Sequence, residues 1–307
     1  MTGPVAGRAR VVFAGMYVAK TIPLASIWRY DRKNILFFSA YSGLICFADL
    51  ELGMSFLSMP FVAVGTLGTA VAIMLGFKNN SAYGRWTDAR ATWGSIVSAS
   101  RNFGSMVAAY VEDAEVRREL VHRHLAIVYA LAARLRHLPD DEHLARWLSR
   151  EEQAAIVGAS NRSVQLIHRQ AVRLREASRH DSNAGFFLMP GINELYALVG
   201  AAESIKTTPL LRHYSFFTSL FVKVFVFLLP FGFVGALGWS TVPLTVLVGT
   251  MFYMLDGVGG LTEDPFENNF NDVPISALCR TVEIDLRTQL GEVDLPPQLE
   301  PTDGVLM

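Results

Sequence analysis

The stretch PFVAVGTLGTAVAIMLGF, Pro60 to Phe77, decides how the chain is read. It is apolar and uncharged, yet it spends positions on Gly65, Thr66, Gly68, Thr69 and Gly76. A helix that only anchors a protein in lipid gains most from Leu and Ile. Small residues serve a different end, because they let helix backbones approach closely. The segment therefore reads as a membrane span with a further task. Counted from Met54 it reaches about 36 Å at about 1.5 Å per residue, enough to cross with some excess.

Working outward, Ile35 to Leu50 (ILFFSAYSGLICFADL) is a shorter first span closing on Asp49 and Leu50. Downstream, Phe216 to Leu255 is long enough for two passes, and GWSTVP, Gly238 to Pro243, supplies the turn between them. No charged residue occurs from 53 to 77 or from 224 to 255, whereas residues 78–215 hold 18 of the 27 Lys and Arg. The chain of 307 residues is 51% hydrophobic and 18% charged, with a mean hydropathy of +0.30. Soluble domains carry about a quarter charged residues. The expected fold is an all-α membrane protein with four transmembrane helices and a large water-facing helical insert. It divides into an arm (1–34), helices one and two (35–77), a helical domain (78–215), helices three and four (216–258), and a C-terminal helix and tail (259–307).

Basic residues set the topology. Arg29, Arg32 and Lys33 precede span one, Lys78, Arg85 and Arg90 follow span two, and Lys206 and Arg212 precede span three. The link between spans one and two has only Asp49 and Glu51, and that between three and four has no charge. Both termini and the insert are expected in the cytoplasm, the protein being a multi-pass component of the cell's inner membrane. The run Val11 to Ala19 behind Arg8 and Arg10 has the outline of a signal peptide. Lys20 closes it and no small-residue cleavage site follows, so it is read as an interfacial or cytosolic arm.

The insert is helical throughout. Val121, Leu125, Val128, Ala132 and Leu135 share one stripe, as do Val164, Ile167, Ala171 and Leu174. Ser149 to Glu152 has the pattern of a capping box. No strand-period segment of useful length and no internal repeat is evident. A net charge of −1 gives no basic field for nucleic acid, and Cys46 and Cys279 form neither a disulfide framework nor a metal motif. His122 and His124, two apart on a helix, do not converge on one metal and are read as surface residues. GVGG, Gly257 to Gly260, lacks the lysine of a phosphate loop and reads as a flexible exit from span four. Lys223, about two turns into span three, is expected to snorkel. The tail from Glu292 is Pro-rich, either disordered or a strap on a neighbouring subunit.

Two segments carry a family resemblance. GFKNNSAYGRWTDARATWGSIVSASR, Gly76 to Arg101, resembles the stretch after the second membrane helix of bestrophins, particularly the bacterial branch. TEDPFENNFNDVPISALCRTVEIDL, Thr262 to Leu286, is similar to that family's Glu-x-Pro-Phe…Asn-Asp-x-Pro segment. SIWRYDRKNILFF before span one and AAESIKTTP before span three add weaker matches in the right order. The resemblance implies a homopentameric ion channel whose second helix lines a central pore, with an apolar neck and a second constriction near the cytosolic exit.

Along span two, Val62, Thr66, Thr69, Ile73 and Phe77 recur at helical spacing on one face. By pattern alone this is either close packing in a bundle or a path lining; the resemblance selects the lining and puts the neck at Thr69, Ile73 and Phe77. Rings of Ile73 and Phe77 would resist wetting. GINELYALVGAAESI resembles the aperture region and suggests Leu195, with Glu194 beside it; the alternative is that Leu195 is a core residue. Glu263, Asp264, Glu267 and Asp272 are a possible cation site, since calcium takes six to eight oxygens. Animal relatives bind calcium here with a dense acidic run, but this chain has asparagines in much of it, which speaks against calcium and leaves no cofactor expected. A turn capping the final helix at Asp272 and Pro274 is the other reading.

Function follows as conduction of monovalent ions through a self-assembled pore in the bilayer, with chloride or another anion favoured on family grounds. A sodium-conducting channel is the alternative, then a secondary transporter or a membrane scaffold. No convergent set of titratable groups suggests an enzyme.

Overall fold

The computed structural model describes residues 16–17, 24–177, 182–269, 271–301 and 305–306. Most of the N-terminal arm, Arg8, Arg10 and Lys20 included, lies outside them. The elements in order are β1 (Met16–Tyr17), α1 (Leu24–Leu50), α2 (Phe61–Tyr110), α3 (Ala114–Leu135), α4 (Asp141–Trp147), α5 (Arg150–Ala154), α6 (Arg162–Ala177), α7 (Ser182–Thr207), α8 (Arg212–Leu237), α9 (Thr241–Thr262), α10 (Ile275–Gln289) and β2 (Val305–Leu306). The chain divides into an apolar unit, Ala19–Arg85 with Pro209–Asp264, and a polar unit, Trp86–Thr208 with Pro265–Met307 and Met1–Val18. The boundary falls inside α2, which runs unbroken through the place where the second span was expected to stop.

In the apolar unit α1 packs on α8 and α9, which pack on each other. The turn expected at Gly238 is present: Gly238 adopts φ +52, a conformation suited to glycine, and a single 3-10 turn leads into α9. Pro243 then falls in the first turn of α9, where its missing N–H costs nothing. The second span starts later than expected, because Ser55–Leu57 forms a 3-10 turn and α2 begins at Phe61, behind Pro60. Its seam is built by Val64, Val71 and Leu75 against Phe38, Val222, Phe225, Val226, Leu229 and Phe233. A Cβ on Gly68 would sit 2.6 Å from the Phe225 ring, and one on Gly232 2.7 Å from Val64, so these two glycines set the closeness of α2 and α8. The GVGG segment is helical as well, since α9 continues to Thr262.

By length and composition, three helical stretches among the described residues are able to cross a membrane: Ser55–Tyr110, Gly185–Thr207 and Arg212–Thr262. Ile35 to Leu50 is not among them; its apolar run is short and bounded by Lys33 and Asp49. The stretch within α7 was not expected. It belongs to the polar unit, where Leu188, Ile192, Leu195, Val199 and Ala202 are spent on the core.

The polar unit is organised on α3, which packs against α4, α6, α7 and α10. Asp113 caps α3 through the N–H groups of Glu115 and Val116, and the Ser149–Glu152 box opens the five-residue α5. The predicted stripe of α3 is buried throughout. His124 corrects the surface reading: it is buried, its Nε2 is 2.9 Å from Ser100 Oγ, and its ring stacks on Phe103. Its neighbour His122 meets Glu292 at 3.5 Å. Glu283, fully buried on α10, accepts from Tyr129 Oη at 2.6 Å and faces Arg146, Arg280 and Arg287 at 3.0–3.4 Å. The start of the tail lies against α10 of its own chain, with Arg287 donating to the Asp294 carbonyl and Arg280 to that of Pro297. β1 and β2 pair antiparallel, Met16 with Leu306 and Tyr17 with Val305.

Candidate functional site

Helix geometry places two stripes on opposite sides of α2 in the apolar unit. Val64, Gly68, Val71, Leu75, Lys78 and Ala82 are buried and follow the i, i+3, i+4 pattern of one face. Val62, Thr66, Thr69, Ile73 and Phe77 repeat that pattern two positions away, about 160° around the axis at about 100° per residue, and every one is exposed. Val62, Ile73 and Phe77 are 76%, 56% and 64% exposed, large apolar side chains left mostly uncovered by the described residues. Gly65 and Ala70 complete a shallow groove along this face.

The two threonines are not free donors. Thr66 Oγ1 donates to the Val62 carbonyl at 2.8 Å and Thr69 Oγ1 to that of Gly65 at 3.1 Å. With the hydroxyl protons committed to the helix, each oxygen turns lone pairs to the open face. Gly65 and Gly76 have nothing within 4 Å of an added Cβ, unlike Gly68 in the seam. The small residues of the opening stretch thus do two jobs, one on each side of the helix.

Just past Phe77 the helix changes character. Lys78 is 2% exposed, and its Nζ donates to Asp256 Oδ1 at 2.7 Å and to Ser219 Oγ at 3.0 Å; Ser219 in turn donates to Asp256 Oδ1 at 2.9 Å. Asn79 donates to the Leu255 carbonyl at 3.0 Å. Sequence reasoning treated Lys78 only as a topology marker and passed over Asp256. The signal was there, in opposite charges that each end an apolar run on the same side.

Other expected residues fall as follows. Leu195 is 1% exposed in the polar unit's core, so its side chain does not line an aperture, whereas Glu194 is exposed. That corrects the reading of Leu195: the stripe it shares with Ile192 and Val199 is apolar because α7 packs there. The four acidic residues are engaged separately. In the apolar unit Glu263 accepts from Ser215 at 3.0 Å and Asp264 lies 3.9 Å from Arg85. In the polar unit Glu267 meets Lys206 at 2.5 Å, and Asp272 Oδ2 accepts the Asn269 N–H at 2.9 Å. Among the described residues no three His, Cys, Asp or Glu side chains gather to hold a metal. Asp272 does not cap α10; Pro274 stands at its N-cap with no side-chain cap. Burial pushes the Asp272 carboxyl up to about 6, against the pull of the Asn269 N–H and Arg136. Lys223 is exposed on α8.

Long apolar helices, one of them presenting an uncovered face of aligned apolar and hydroxyl groups, define an integral membrane protein. Its family is shown by comparison. Residues 24–288 match the family described as Bacterial/Fungal Bestrophin protein, and the chain belongs to that family. It is 31% identical over 254 residues to the voltage-dependent anion channel-forming protein YneE of Escherichia coli (strain K12), covering 82% of this chain and 83% of that one. It is 30% identical over 277 residues to the voltage-dependent anion channel-forming protein mll4386 of Mesorhizobium japonicum, covering 88% and 87%. The crystal structure of a bacterial bestrophin homologue from Klebsiella pneumoniae superposes with a TM-score of 0.79 at 26% identity, over 86% of this chain and 98% of that chain.

Proposed function

We propose that the protein is a passive channel for monovalent ions, formed by five copies whose α2 helices surround a common axis. The observation that carries this reading is the face of Val62, Thr66, Thr69, Ile73 and Phe77, left open by its own chain directly opposite a packed seam. One chain cannot enclose an aqueous path with a single helix, but copies around an axis can. Thr69, Ile73 and Phe77 then form the neck, apolar enough to gate by dewetting. Of the two residues expected near a second constriction, Leu195 and Glu194, only Glu194 has an exposed side chain to offer. We place the protein in the inner membrane with both termini and the polar unit in the cytoplasm, following the positive charges that flank the spans. The channel works without enzymatic chemistry and without calcium or another cofactor.

Anions are the favoured permeant ions, supported by the names of the relatives in E. coli and M. japonicum. One observation favours cations instead: the threonine hydroxyls of the lining face offer acceptors, not donors. Purified protein in planar bilayers tests both readings. Currents above bare-bilayer background are expected, and their absence in every salt would remove the channel reading. Ile73→Ala and Phe77→Ala are expected to enlarge unit conductance; unchanged conductance in both would take these residues out of the neck.

A further inference from the structure

We propose that Lys78, Asp256 and Ser219 form a rotational lock that holds the Thr69–Ile73–Phe77 edge of α2 toward the conduction path; this rests on the channel reading above. The problem the lock solves is general. A helix with apolar side chains all round is weakly oriented, because turning it exchanges one apolar contact for another. Apart from the close contacts of Gly68 with Phe225 and of Val64 with Gly232, the buried seam and the open face of α2 both carry Val, Leu, Ile or Phe, so packing elsewhere along the helix discriminates little between rotations.

Lys78 does discriminate. It extends the buried seam by one turn beyond Leu75 and sits one residue past Phe77, so its direction fixes that of the neck. Two separate helices grip it: Asp256 comes from α9 and Ser219 from α8, and the hydroxyl is also tied to the carboxylate. Turning α2 by one residue would strip a buried ammonium from its carboxylate and leave both charges uncompensated. The next residue repeats the grip, since Asn79 donates to the Leu255 carbonyl and a Cβ on Gly259 would sit 2.1 Å from Asn79 Oδ1. Four residues before Lys78, the Met74 carbonyl accepts from Tyr214 Oη at 3.1 Å. Buried ion pairs often add little net stability compared with well-packed apolar residues. Orientation accounts for this one where stability does not. Lys78, Asp256 and Ser219 are positioning residues; they act on the path through the rotation of α2.

The test reads rotation directly. Ala72→Cys, Ile73→Cys and Met74→Cys are made singly in the full-length protein, reconstituted in liposomes and exposed to sulfonatoethyl and trimethylammonium-ethyl methanethiosulfonates. Using both charges keeps the selectivity of the path from hiding the result; Cys46 and Cys279 are buried. With the lock intact, Ile73→Cys is expected to react at least about tenfold faster than its two neighbours, a ratio worth about 1.4 kcal/mol. In Lys78→Met or Asp256→Asn the ratio should fall to about threefold or less. Lys78→Arg and the reciprocal exchange, Lys78→Asp with Asp256→Lys, should keep it. A full ratio in either Asp256→Asn or Lys78→Met overturns the lock. Asp256→Asn keeps the size but leaves the ammonium unpaired, so the charge-free double variant, Lys78→Met with Asp256→Asn, gives the reading if a single variant fails to assemble. A parent in which Ile73→Cys is no more reactive than its neighbours overturns the channel reading itself, so the two failures are distinct.

Discussion

His124 and Asp272 are buried titratable side chains of the polar unit, and burial moves them toward each other. Burial pushes the His124 imidazole down to about 4, since its Nδ1 has no partner and a second N–H would have nowhere to donate. Asp272 moves up to about 6. As pH falls from 6.5 toward 4, the unfolded chain takes up the histidine proton first, so the His124 contribution, complete above pH 6.5, is lost across that window. Asp272 works the other way. Its folded state binds the proton first, so acidification from about 6 to 3.8 favours the fold. At about 1.4 kcal/mol per pKa unit the two slopes are each worth about 3 kcal/mol and nearly cancel. Single variants should unmask them. Relative to the parent, Asp272→Asn should lose stability between pH 6 and 4, and His124→Gln should gain it, each by about 2–3 kcal/mol. Thermal unfolding in detergent, scanned in half-unit pH steps, gives the two difference curves; parallel curves would contradict both assignments.

At the scale of elements, α2 divides its glycines by task. Gly68→Ala puts a methyl group within 2.6 Å of the Phe225 ring and should cost about 1–3 kcal/mol as the α2–α8 seam adjusts. Gly65→Ala meets nothing within 4 Å of its added methyl, so its melting temperature should equal or slightly exceed the parent's, Ala being the better helix former, and any loss should appear in the current. Equal destabilisation by both would mean that the seam is not where the geometry puts it. Much at this scale was legible in the sequence: the helical stripes of α3 and α6, the capping box at Ser149, the turn at Gly238 and the alignment of Val62, Thr66, Thr69, Ile73 and Phe77. Each rests on local periodicity or cap chemistry. What was not legible depended on contacts far along the chain. Leu195 and a lining residue share the same apolar spacing, and only the tertiary partner separates them. The division between Gly65 and Gly68 needed Phe225, and the role of Lys78 needed Asp256, 178 residues away.

For the whole molecule, the open face of α2 is left largely uncovered by the described residues, and the channel reading assigns its partner as further copies of the same chain. Val62, Ile73 and Phe77 are too exposed to be left in water, and a lipid contact would give no reason for Thr66 and Thr69 to stand in line with them. A closed ring resolves both, since the apolar side chains narrow a short path and the threonine oxygens ease an ion's loss of water. The complex purified in detergent is therefore expected at five times the 33.9 kDa chain by native mass measurement. Its selectivity follows from which part of the ring an ion meets as it dehydrates. If the Phe77 ring edges, electropositive by their quadrupole, control the barrier, anions pass. If the Thr66 and Thr69 oxygens control it, cations pass. Under a tenfold NaCl gradient the reversal potential should lie toward the chloride equilibrium value, in keeping with the relatives' names. Thr69→Val, which keeps the shape and removes the oxygen, should move it further the same way while leaving the native mass unchanged. A reversal potential at the sodium value, drawn toward zero by Thr69→Val, would give the lining oxygens control of the path and replace the anion reading with the cation one.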